Sequence, residues 1–136
     1  MMKKLLSIQY NPFLFNASML LLRIVSGILM MSHGYGKLLQ FNEKKAVFHD
    51  FMGLGSTNSL LLAIFAEFFC ALFLAIGLFT RLVSVPLVIV MAVAVFDVHQ
   101  MDFFDTGEKA TLFLAGFLTL LLCGPGRASV DGIASK

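Results

Sequence analysis

Charge is scarce in this sequence. Only 13% of its 136 residues are Asp, Glu, Lys or Arg, while 59% are hydrophobic. A soluble domain carries about 25% charged residues. Such a chain cannot cover itself with polar surface, so lipid replaces water as its solvent. The net charge is only +2 and the charges are scattered, which argues against nucleic acid as a partner. Cysteine is nearly missing too. Cys70 and Cys123 both sit in apolar runs, which excludes a disulfide framework and makes them small hydrophobes. No CxxC pair, HExxH or Gly-rich phosphate loop occurs. No nucleotide motif or iron–sulfur ligand set supplies electrons. The chain has no autonomous catalytic motif, and any enzymatic role is that of an accessory subunit.

What the sequence has is long apolar runs. Four stand out, over about 17–39, 59–79, 82–98 and 109–123, each near the roughly 20 residues that cross a bilayer. Apolar and polar residues do not alternate, so strands are the poorer reading. The expected fold is all-α: one integral-membrane domain over 1–136, a four-helix up-down bundle. Lys3 and Lys4 resemble the start of a signal peptide, but the apolar stretch 5–8 is too short and no cleavage site follows, so the first helix is read as retained. Thr80-Arg81 reads as the hairpin between the second and third runs, with Pro86 in the first turns of the third. Asp105-Thr106-Gly107-Glu108 resembles a capping box opening the fourth, and Gly124-Pro125-Gly126 stops it. Residues 41–52 mix aromatics with charges, and read either as a short amphipathic surface helix or as a polar loop. Lys3, Lys4, Arg81, Arg127 and Lys136 fall on the side of the termini, against Lys37, Lys44, Lys45 and Lys109 on the other. That asymmetry puts both termini in the cytoplasm.

The informative residues are those that do not belong in lipid. A charge at mid-bilayer costs roughly 2.5–3.5 kcal/mol on insertion scales. Glu67 lies deep in the second run among Phe65, Phe68 and Phe69, and its stem is too short to snorkel. Either Arg23 in the first run meets it, or Arg23 snorkels to the headgroups and Glu67 stays neutral. His33 and Lys37 are four apart and share a helix face. Gly27 and Gly34 leave a smooth strip for another helix, and Ala71 with Ala75 makes a small-residue face. In the hairpin arrangement His33, Glu67, Asp97, His99 and Glu108 fall in the same half of the membrane. They form either a polar pocket for a quinone headgroup or proton relay, or ordinary interfacial residues. A metal or haem is the poorer reading, because no two ligands have bundle-site spacing.

At these residues the chain resembles the DoxX family of small membrane proteins. Arg23 to Gly27 and His33-Gly34 to Lys37 are similar to its R-x-x-x-G and H-G-x-x-K pattern. Glu67 followed by Gly77-Leu78-Phe79-Thr80-Arg81 is similar to its glutamate and G-L-x-T-R turn. Val98-His99, Glu108-Lys109-Ala110 and the Gly124-Pro125-Gly126-Arg127 to Ser129 to Asp131 ending complete the match, over about residues 20–131. The resemblance implies a multi-pass bacterial inner-membrane protein of four helices. The family name implies association with quinone-linked respiratory oxidation.

Three functional readings follow. The first is a redox subunit whose pocket of Arg23, His33, Lys37, Glu67 and His99 holds a quinone. Glu67 carries the proton, the histidines bind a carbonyl, and a soluble or membrane oxidoreductase supplies electrons. The second is a small-molecule or ion transporter or channel subunit, which at this size calls for a homo-oligomer and shows no inverted repeat. The third is a non-catalytic membrane scaffold in which Arg23 and Glu67 only lock the helices together.

Overall fold

The computed structural model describes residues 2–50, 53–98, 100, 102 and 104–135. Among them it is all-helical, with no strand. Two short helices, α1 (Met2–Leu5) and α3 (Phe41–Lys44), flank the long α2 (Pro12–Leu39). Asn11 caps α2 by accepting from the Phe13 N–H at 2.8 Å, and Pro12 stands at its first position. The helix thus starts five residues before the apolar run does. Then come α4 (Ser56–Ile76), α5 (Thr80–Val98), α6 (Glu108–Cys123) and the short α7 (Val130–Ala134). Helices α2, α4 and α5 are each long and apolar enough to cross a membrane. Helix α6 spans about 24 Å at 1.5 Å per residue.

The joints differ from the sequence expectation in two places. Gly77 takes a left-handed φ of 79° and ends α4. Its N–H donates to the Leu74 carbonyl, and that of Leu78 to Phe73, a Schellman closure. The turn is therefore 77–79, and Thr80 and Arg81 already belong to α5. Pro86 in consequence lies in the second turn of α5, where the Leu82 carbonyl loses its usual donor. The expected capping box does not form: Gly107 is the N-cap of α6 and no side chain caps it. Residues 41–50 begin as the single turn of α3, pass through turns at 45–47 and bend at Phe48, which is neither a full amphipathic helix nor a wholly irregular loop; Phe51 and Met52 lie outside the described residues.

Helix α2 packs on α4 and α6, and α5 packs on the same two. Met30, Leu74, Leu87, Phe117 and Leu120 fill the space between them and are fully buried. The outer faces carry exposed Leu21, Ile28, Phe65, Leu82 and Leu122. In lipid such faces cost nothing, and packing of the interior surfaces holds the helices together.

The small-residue strips meet as expected. A Cβ on Gly27 would lie 3.0 Å from the Ala71 carbonyl oxygen and 3.0 Å from the Ala75 Cβ. One on Gly34 would lie 2.7 Å from both the Glu67 carbonyl carbon and the Phe68 nitrogen. Those are backbone atoms, so the helices would have to separate. Gly34→Ala should therefore cost about 1–3 kcal/mol. Gly36→Ala, which has open space, should be neutral or gain up to about 1 kcal/mol of helix propensity. Thermal melts of the two variants in one detergent check the contrast.

Candidate functional site

Glu67 does not sit on an ordinary α-helical turn. Residues Phe65–Cys70 of α4 form a π-helical turn, which inserts a residue and swings the following side chains around the axis. Such turns are frequent at functional sites. Gly34 lets α2 press against this turn, and one turn further along α2 Lys37 reaches across. Lys37 Nζ donates to Glu67 Oε2 as a hydrogen-bonded ion pair. The Glu67 side chain is 3% exposed and that of Lys37 23%. The ammonium also lies 5.9 Å from the centre of the Phe48 ring, within cation–π range.

The pair forms one polar spot on the wall of a cavity of about 730 Å³. The rest of the wall is mostly apolar, including Met30, Leu62, Phe65, Ile89 and Phe113. His33 lines it too, its ring edge-on to Phe113 with centres 5.8 Å apart. A second π turn, Ala94–Val98 at the end of α5, borders the same space. Both helices facing each other across the cavity are thus locally unwound there. His49 and Lys109 also line it, two residues outside the predicted pocket set. The shared side of Lys37 and Lys109 was the available signal. His49 Nε2 stands 3.8 Å from Asp97 Oδ2.

Of the predicted pocket, His33, Lys37 and Glu67 come together. Arg23 does not join them. It lies about 21 Å down α2 from Lys37, at 1.5 Å per residue, and an arginine cannot bridge that. Its partners are backbone carbonyls: Nε donates to Ala75 at 3.2 Å, Nη1 to Pro125 at 2.5 Å and Nη2 to Ala128 at 2.6 Å. The first belongs to the last turn of α4, the negative end of a helix, and the others to the chain after α6. A planar guanidinium has the fork of donors to gather all three. Asp97 is exposed, Glu108 is exposed at the start of α6, and His99 lies outside the described residues. Among the described residues no three His, Cys, Asp or Glu side chains gather as a metal site.

The tail completes what Arg23 begins. The Asp131 N–H donates to the Gly77 carbonyl at 2.9 Å. The Asp131 carboxylate accepts from the Phe79 and Thr80 N–H groups, each at 2.8 Å, and so caps α5 from a distant part of the chain. Ser129 caps α7 by accepting from Gly132 at 3.0 Å. Partial burial pushes the Asp131 carboxyl up, but the Thr80 and Phe79 amides, the Thr80 hydroxyl and the Arg23 charge together outweigh it and hold it below the usual carboxylate range. The ionised form is therefore favoured by folding. Its contribution is complete above about pH 4 and is lost as pH falls through the lower folded value. Stability should decline on acidification below about pH 4, and Asp131→Asn should flatten that decline while costing about 1 kcal/mol at neutral pH. Melting curves against pH check both.

The tail motifs and the Arg23 motif are thus one structural clasp, and the His33, Lys37 and Glu67 motifs are one cavity at the other end. No curated protein and no solved structure matches the chain. The family model for DoxX matches residues 18–100, a stretch that holds Arg23, the cavity pair and the Gly77 turn, and the chain belongs to the DoxX family.

Proposed function

We propose that this protein is a membrane subunit that holds a quinone headgroup in the Lys37–Glu67 cavity and works with a partner oxidoreductase. The observation that carries this reading is an ion pair on the wall of a mostly apolar cavity of about 730 Å³. That volume suits a substituted ring with part of an apolar tail. A quinone carbonyl accepts a hydrogen bond from the Lys37 ammonium or His33. A quinol hydroxyl donates to the Glu67 carboxylate. Full reduction of a quinone takes up two electrons and two protons. The electrons come from the partner, and the Lys37–Glu67 pair with His33 handles protons at the ring oxygens. In this reading all four of α2, α4, α5 and α6 cross a bacterial inner membrane as an up-down bundle, with both termini cytoplasmic.

The scaffold reading has its own support, since Arg23 and Asp131 are engaged with this chain's own backbone carbonyls and amides. One experiment separates the two. Solvent extraction and mass spectrometry of detergent-purified protein should recover a quinone from the wild type. Recovery should fall on the order of 10-fold in Lys37→Met, the loss of one charge-assisted hydrogen bond. An extract without quinone, together with no thermal stabilisation by a short-chain quinone, would leave the scaffold.

A further inference from the structure

The clasp end of the molecule carries more positive charge than its internal bonds use. Arg23 and Asp131 offset each other inside it. Arg81 and Arg127 stay outside, both exposed. Arg81 Nη2 donates to the Leu122 carbonyl at 3.3 Å. The Arg127 backbone N–H donates to Asn16 Oδ1 at 2.9 Å. Among the described residues neither guanidinium is paired with a carboxylate.

Both arginines line one groove of about 680 Å³. Asp131 lines it as well, with its carboxylate committed to the Phe79 and Thr80 amides. The groove opens at the start of α5. The first helical bond there runs from Val83 N–H to the Phe79 carbonyl, so the N–H groups of Arg81 and Leu82 precede the ladder and add positive potential. The same groove has an apolar wall. Phe79 and Leu82 line it and are 59% and 70% exposed. Because α5 is a membrane-length helix, its first turn stands at the level of the lipid headgroups. Two cations beside an exposed apolar wall match an amphiphile with an anionic head.

We propose that this groove binds the phosphate of an anionic phospholipid, with Arg81 and Arg127 on the phosphate oxygens and the acyl chain along Phe79 and Leu82. A guanidinium meets phosphate with two parallel hydrogen bonds. A zwitterionic lipid brings its own ammonium group, which the two arginines repel. A free phosphate ion offers the same oxygens but leaves the apolar wall uncovered. This site is separate from the cavity and stands whether or not the cavity holds a quinone.

Native mass spectrometry of the full chain in detergent tests it. Phosphatidylglycerol should bind with one preferred site, on the order of 10-fold tighter than phosphatidylcholine, as expected for two basic groups near the surface. Arg127→Gln, whose side chain holds no bond in the described structure, should lose most of that preference, and Arg81→Gln/Arg127→Gln should lose all of it. Equal affinity for the two lipids overturns the proposal. So does a double variant that stays folded and keeps the preference. Inorganic phosphate that competes fully with phosphatidylglycerol at matched concentration also overturns it, by showing that the lipid part contributes nothing.

Discussion

Replacing Arg23 with leucine should cost this protein about 4 kcal/mol or more, lowering its melting temperature in detergent by about 10 °C or more. Arg23 is 2% exposed and its guanidinium donates to three carbonyls on two separate parts of the chain, the end of α4 and the segment after α6. A hydrogen bond from a charged donor is worth roughly 1.5–3 kcal/mol. Without it three carbonyls are left in a medium that offers few other donors. Arg23→Lys should recover only part of the loss, because one ammonium cannot span the three acceptors. Gly77→Ala should damage the same structure by another route. Its φ is positive, and its Cβ would fall 2.3 Å from the Ser129 Cβ and 3.2 Å from the Arg23 Cζ. The two substitutions open one clasp, so the double variant should lose less than the sum of the singles. An Arg23→Leu protein melting within about 2 °C of the wild type would sink this account.

The second large effect is asymmetric. Lys37→Met should cost about 3 kcal/mol, the usual penalty for stranding one member of a buried ion pair. It leaves the Glu67 carboxylate, 3% exposed, against a mostly apolar cavity wall. Glu67→Gln should cost only about 1 kcal/mol. Lys37 is 23% exposed, has a long stem, and keeps the Phe48 ring beside it, so its charge can move toward the headgroups. The double variant Lys37→Met/Glu67→Gln should be more stable than Lys37→Met alone. A double-mutant cycle on detergent melts measures this directly. Equal costs for the two single variants would mean that Glu67 has another way to satisfy its charge.

The helices were legible in the sequence because helix formation in lipid depends on local composition. The runs at 59–79, 82–98 and 109–123 lie within three residues of α4, α5 and α6 at each end. The first run missed five residues of α2, because Asn11 and Pro12 signal a helix start by capping and not by hydropathy. The Gly27, Gly34, Ala71 and Ala75 faces were legible for a similar reason. Small side chains at helical spacing can do little else than admit a neighbour.

The partners of the charged residues were not legible. Arg23 and Glu67 are both membrane charges of opposite sign, and sequence alone allows them to meet. The level at which each residue stands in the packed helices forbids it. Glu67 lies opposite Gly34, a turn from Lys37, while Arg23 lies opposite the end of α4. The fold-back of 124–131 onto the Gly77 turn joins residues more than fifty positions apart. No local pattern encodes such a contact, because it depends on where the ends of three helices come to rest. The π turn at Glu67 was not read from the sequence either; it stands against Gly34 and borders the cavity. Composition and periodicity decided that this chain lives in lipid as helices, and the packing of those helices decided which charges lock the fold and which face an open cavity.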